Sequence, residues 1–226
     1  MGARMKKRFL ITAALFALFA VFTVLVSKVD VQPIGPEGSE VGFAGINGYF
    51  RDVIGYHESW NIIGDFIGYL VIASVVAFAM VGLVQLLRDW NVDFRILLLG
   101  CFYVSLLAVY ILFVKVIINY RPVILDEEGL ESSYPSSHTI LGVCCMGAAM
   151  MQIQYMLKKT PMLRAVAMGV CAAVGIMLPV ARMLAGVHWF TDIVGGVILS
   201  AALLMLYYSM VKFVGSKIRK RPARRR

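Results

Sequence analysis

Six stretches of the chain run without Asp, Glu, Lys, Arg or His: Phe9 to Val26, Phe66 to Leu87, Ile96 to Val114, Thr139 to Leu157, Ala165 to Ala181 and Ile193 to Val211. Each is long enough to cross about 30 Å of hydrocarbon as a helix. The connections between them are mostly short. The pattern therefore predicts an all-α integral membrane bundle of six transmembrane helices, a single domain over residues 1–226 with no internal repeat. The largest connection, Val29 to Trp60, contains several Gly and two Pro, with a short interfacial segment expected near Ile46 to Ile54. Arg4, Lys6, Lys7 and Arg8 precede the first run as they would in a secretory signal. That run is as long as a membrane span and lacks a small-residue cleavage pattern, so it reads as a retained anchor.

Composition agrees with this reading. Hydrophobic residues make up 60% of the chain and charged ones 15%, with a mean hydropathy of +0.81. Such a chain does not expose an ordinary soluble surface. The net charge of +9 is unevenly distributed. With both termini placed in the cytoplasm, the outside keeps only Lys28, Arg51, Lys115, Arg121 and Arg182 of the 22 Lys and Arg, a strong positive-inside bias. The basic tail from Lys217 to Arg226 then reads as a topology signal touching anionic membrane lipids, with no nucleic acid as partner. Cys101, Cys144, Cys145 and Cys171 lie inside the apolar runs, where thiols act as small hydrophobes. No N-x-Ser/Thr sequon occurs, and the short, loop-poor chain fits a bacterial plasma membrane.

Three polar clusters interrupt this background, each at the end of an apolar run: Lys115 to Pro122, Tyr134 to His138, and Arg182 to Asp192. A charge placed in lipid costs about 2.5 to 3.5 kcal/mol on insertion scales, so such groups point to function. In the chosen orientation all three clusters fall on the extracytoplasmic side. His188 and Asp192 are four positions apart at the start of the last span, which on a helix puts them on one face. The carboxylate can hold one imidazole nitrogen and present the other as a nucleophile. Arg182 offers a planar donor fork suited to phosphate oxygens. Pro135, Ser136 and Ser137 mark a helix start whose open amides attract anions, and His138 in that first turn can donate a proton. Lys115 and Arg121 add two cations. Singly, Lys115 reads as a snorkelling helix-end lysine and His188–Asp192 as a helix-end hydrogen bond. Together, on one side of the membrane, cations and two imidazoles suit phosphate transfer.

The order Lys…Arg-Pro, Pro-Ser-x-His and Arg-x5-His-x3-Asp resembles the three-part signature of the type 2 phosphatidic acid phosphatases, integral-membrane lipid phosphate phosphatases related to vanadium haloperoxidases. The signature runs from Lys115 to Asp192. The resemblance implies that His188 attacks phosphorus to form a phosphohistidine, Asp192 orients it and His138 protonates the departing group. Lys115, Arg121, Arg182 and the backbone around Ser136 and Ser137 would cradle the oxygens. It implies a lipid phosphate or pyrophosphate as substrate and neither cofactor nor metal. Three positions depart from the family pattern. Five residues rather than six separate Lys115 from Arg121, Ser137 stands where glycine is usual, and Ala181 stands where serine is usual.

Other polar positions carry less. Asp65, near His57 and Glu58, reads as a helix-end cap or packing group ahead of a substrate-entrance residue. Asp126, Glu127, Glu128 and Glu131 read as a solvated loop. Two rival functions are a lipid transporter and a non-catalytic lipid-phosphate-binding protein. The first needs ionisable residues and broken helices near the bilayer midplane, which this pattern does not supply. Intact His138, His188 and Asp192 argue against the second.

Overall fold

The structure, a computed structural model, describes residues 2–125 and 129–220. Seven helices follow one another: α1 (Ala3–Lys28), α2 (Ala44–Ile54), α3 (Glu58–Asp89), α4 (Phe94–Lys115), α5 (Ser137–Met156), α6 (Pro161–Leu184) and α7 (Phe190–Lys220). All but α2 are long and apolar enough to cross a membrane. Among the described residues there is no sheet, only two isolated antiparallel bridges, Gln32 with Val41 and Tyr120 with Ser132. The expected all-α bundle with six membrane helices is the observed one.

Apart from the C-terminal end of α5, which stops at Met156, the helices outrun the uncharged stretches at both ends, because polar residues continue a helix past the hydrocarbon. Local signals set the boundaries. Asp93 caps α4 by accepting from the Arg95 amide at 2.8 Å. Pro161 occupies the first turn of α6, where its missing N–H is no loss. Trp90 closes α3 in a left-handed conformation. Helix α2 lies where a short interfacial segment was expected. Its exposed Ile46, Tyr49 and Val53 follow i, i+3, i+7 spacing and form one apolar face, while Ala44 and Asn47 are buried.

Helix α5 occupies the centre, packed against α3, α4, α6 and α7. It is the least apolar of the spans and the most buried, since its faces meet protein rather than lipid. Its Cys144, Cys145, Met146 and Ala148 join Leu178, Leu199 and Leu203 in the core. The first and last helices pack side by side, with the Phe9 and Phe213 rings edge to face at 6.2 Å and Arg8 over the Tyr208 ring. The turn before α3 docks on the α6–α7 loop. The His57 amide donates to the Ala185 carbonyl at 3.0 Å, and Gly186 sits at φ +69, where a Cβ would lie 1.9 Å from the Gly55 oxygen. Only glycine fits there. At this end of the bundle the α4–α5 loop, the start of α5, the end of α6 and the start of α7 converge.

Candidate active site

The loop between α4 and α5 is shaped by a short antiparallel pairing. The Arg121 amide donates to the Glu131 carbonyl at 3.0 Å, and the Ser133 amide to the Asn119 carbonyl at 2.9 Å. That pairing turns Asn119, Arg121 and Ser133 toward the start of α7. Arg121 is 13% exposed, and its Nε lies 2.6 Å from Glu131 Oε2. Glu131, expected in a solvated loop, is therefore the partner of a buried cation. Asp126, Glu127 and Glu128 lie outside the described residues. Beyond Ser133, the buried Tyr134 bonds through its hydroxyl to Thr23 Oγ1 at 2.8 Å, which ties the loop to α1.

Ser136 starts α5. Its hydroxyl accepts from the Thr139 amide at 3.3 Å, and its own amide donates to the Asp192 carbonyl at 3.0 Å. The Ser136 hydroxyl thus serves as a buried helix cap, while the phosphate contact expected here was one of the backbone. The amides of Ser137 and His138 remain open, as the first amides of a helix must. His138 follows with its side chain 26% exposed.

His188 precedes α7 rather than lying on it, so the i, i+4 pair with Asp192 spans the helix start. Asp192 in the first turn accepts from the Trp189 amide at 2.9 Å, the acid half of a capping box. It also accepts from Asn119 Nδ2 at 3.4 Å and from the Ser133 hydroxyl. The direct His188 Nδ1 to Asp192 Oδ2 distance is 3.6 Å, longer than a hydrogen bond, and Ser133 Oγ stands 3.1 Å from the same nitrogen. Because the Ser133 hydroxyl proton goes to the carboxylate, its oxygen must accept from His188 Nδ1–H. This network assigns the Nδ1–H tautomer and leaves the Nε2 lone pair free. Asp192 orients the imidazole through a serine, not by the direct bond the spacing alone implied. His188 and Asp192 side chains are 1% and 0% exposed. Burial, and then the positive charges of Arg121 and Arg182, hold His188 well below the ordinary histidine value of 6.5, against the bond to Ser133.

Arg182, in the last turn of α6, is buried against α3. Its Nη1 donates to Asn61 Oδ1 at 2.8 Å and to Asp65 Oδ1 at 2.9 Å. Gly64 permits this approach, since a Cβ there would meet Arg182 Cδ at 2.9 Å. Asp65 is in the second turn of α3 and makes no cap, so the helix-end role expected for it gives way to an ion pair. The α2 helix contributes Asn47, which donates to Thr191 Oγ1 at 2.9 Å and accepts from the Thr191 amide at 3.1 Å, fixing the first turn of α7.

The structure thus brings together Arg121, Ser136, Ser137, His138, Arg182, His188 and Asp192, with the His138 and His188 ring centroids 6.4 Å apart. It does not bring Lys115, which is exposed at the end of α4 and makes no hydrogen bond or ion pair among the described residues. Sequence reasoning missed Ser133, Asn119, Asn61 and Asn47. The signal for Ser133 was its place just before Tyr134-Pro135; the asparagines had none. Among the buried polar atoms of this cluster without a hydrogen-bond partner are His188 Nε2, His138 Nδ1, Arg182 Nε and Arg121 Nη1, together with Asn119 Oδ1 and Thr139 Oγ1. Buried polar groups are nearly always satisfied, so imidazole nitrogens and guanidinium donors left open together mark a place for an anion.

The family model described as the PAP2 superfamily matches residues 97–216, which include all three clusters. The crystal structure of the first transmembrane PAP2 type phosphatidylglycerolphosphate phosphatase from Bacillus subtilis is similar in fold, with a TM-score of 0.61 and 17% sequence identity over 94% of this chain and 98% of that one. No curated protein matches.

Proposed function

The chain belongs to the PAP2 superfamily and is a membrane phosphatase acting on lipid phosphates; on that premise we propose that it works through a phosphohistidine at His188, on the extracytoplasmic face of a bacterial plasma membrane. The observation that carries this reading is the set of unpartnered buried atoms within one cluster: a bare imidazole nitrogen, a second imidazole and two guanidinium groups. His188 Nε2 attacks phosphorus, forming an N–P bond as the bond to the departing oxygen breaks. His138 gives its proton to that oxygen. Water then attacks phosphorus, His138 takes a proton from it, and the N–P bond breaks to release inorganic phosphate. Arg121, Arg182 and the open amides of Ser137 and His138 hold the three equatorial oxygens, stabilising charge that is greatest in the transition state. Asp192 and Ser133 keep the nucleophile in one tautomer.

The candidate substrates are phosphatidylglycerol phosphate, phosphatidic acid and undecaprenyl pyrophosphate. The first is favoured by the similar fold of the phosphatidylglycerolphosphate phosphatase, and the cluster's place at one end of the spans suits a headgroup at the membrane surface. The same placement speaks against transport across the midplane. The test is phosphate release by purified protein from these three lipids, with and without EDTA, alongside acid-labile labelling of the protein. Release that survives EDTA, with labelling lost in His188→Ala, is expected. Activity lost in chelator and restored by magnesium, or labelling that persists in His188→Ala, would overturn the mechanism.

A further inference from the structure

Each histidine of the cluster turns one nitrogen toward a carboxylate and leaves the other buried without a partner. His188 directs Nδ1 to Ser133 and Asp192, and its Nε2 is open. His138 directs Nε2 to Asp65 Oδ1 at 3.9 Å, and its Nδ1 is open. The arrangement around His188 is thus repeated around the other ring, with an acid from α3, an element outside the three sequence clusters.

We propose that Asp65 is the positioning carboxylate of His138, holding the imidazolium so that Nδ1–H points at the departing oxygen. The proposal rests on His138 being the proton donor, as argued above. The carboxylate is held in place: its Oδ1 also accepts from Arg182 Nη1 at 2.9 Å, and Arg182 is braced in turn by Asn61. Small residues let α3 come this close, with Gly64 against Arg182 and Gly68 against the His138 ring. The other charged or titratable groups around His138 are Arg182 from α6, Arg121 from the α4–α5 loop and His188 from the α6–α7 loop. All of them are cationic or can become so, and Asp65 is the carboxylate that faces the ring. Its distance exceeds a hydrogen bond, the usual slackness of a catalytic contact before substrate closes the site. The proton count closes. The imidazolium loses its Nδ1 proton to the leaving oxygen, the neutral ring keeps Nε2–H toward Asp65, and Nδ1 recovers a proton from the attacking water. With Asp65 also tied to Arg182, the acid and one phosphate clamp share a single oxygen atom.

The experiment compares full-length Asp65→Asn, Asp65→Glu and His138→Ala with the unaltered enzyme on a lipid phosphate and on p-nitrophenyl phosphate. Asparagine can still accept from Arg182 but carries no charge. Loss of general acid catalysis costs about 10²- to 10⁴-fold, and the loss shrinks when the leaving group needs no proton. Asp65→Asn is therefore expected to lower kcat about 10- to 100-fold on the lipid and less than about threefold on the aryl phosphate, with little change in KM. Asp65→Glu should recover part of the loss. An equal loss on both substrates, or a change confined to KM, would mean that Asp65 serves only Arg182, and would overturn the proposal. If His138→Ala itself shows no dependence on leaving group, the proton-donor reading falls and Asp65 falls with it. If His138→Ala shows the dependence and Asp65→Asn does not, the assignment of Asp65 falls alone.

Discussion

Replacing Ser133 by alanine removes one oxygen atom from between His188 and Asp192, and its effect on rate can be worked out in advance. The hydroxyl donates to a buried carboxylate and accepts from the imidazole Nδ1–H. A hydrogen bond involving a charged group contributes about 1.5 to 3 kcal/mol. If that interaction acts on the imidazole as it gains positive charge in the transition state, the loss corresponds to about 10- to 150-fold in rate, at 1.36 kcal/mol per tenfold. The fold should survive. Asp192 keeps the Trp189 amide and Asn119 as donors, so no orphaned carboxylate is left behind. Across the remaining 3.6 Å the carboxylate can still attract an imidazolium, and for this reason Ser133→Ala should be milder than Asp192→Asn. The assay is single-turnover phosphoenzyme formation from labelled lipid phosphate, with a thermal melt to confirm folding. Because the serine and aspartate act in series, the double variant should be no slower than Asp192→Asn within about threefold. A Ser133→Ala enzyme within twofold of normal, or fully additive losses, would refute the relay.

Three further outcomes are expected. His188 must be neutral to attack and is held below 6.5 by burial and by Arg121 and Arg182, so the acid limb of kcat/KM, corrected for substrate ionisation, should lie below pH 6.5; activity falls as pH drops through it, and a limb at or above 6.5 would contradict the burial argument. Arg121→Ala and Arg182→Ala each remove a charge-assisted contact to phosphate and should lose about 10- to 150-fold in kcat/KM, whereas Lys115→Ala, exposed in the structure, should change it less than about threefold; a large Lys115 effect would show that substrate draws the lysine in. A tag inserted near Gly38 should be labelled from outside intact cells while a reporter after Arg226 stays cytoplasmic, and reversed accessibility would move the site to the other face.

The spans were legible because uninterrupted apolar runs leave a chain few places to go other than lipid, and α2 showed itself as an apolar face in a polar connection. His138, Arg182, His188 and Asp192 were legible because titratable residues at span ends are conspicuous. Ser133 and Asn119 were not, since a serine or asparagine in a loop has no spacing that tells which distant atom it will meet; their roles depend on the backbone pairing of residues 119–121 with 131–133. Asp65 was visible but misread, because nothing local on α3 reveals that Arg182 lies across from it. Ser136 was legible as a helix start, and its hydroxyl caps that start, which leaves the expected backbone contact to phosphate untouched. Lys115 followed the expected order, yet its position at the end of α4 leaves it facing outward.

Helix α1 packs chiefly against α7, so the first span waits for the last to find its main partner, and this bears on when during synthesis the bundle is completed. Asp65, Arg121, Ser133, His138 and Arg182 all emerge from the ribosome before His188, so on the proposed mechanism a nascent chain carries its clamps and its acid without anything to attack phosphorus. Asp192 arrives four residues after His188, on the helix that must still pack against the first one. On the proposed mechanism hydrolytic competence therefore waits for the last span, and a chain that stalls before it is expected to be inert in the bilayer.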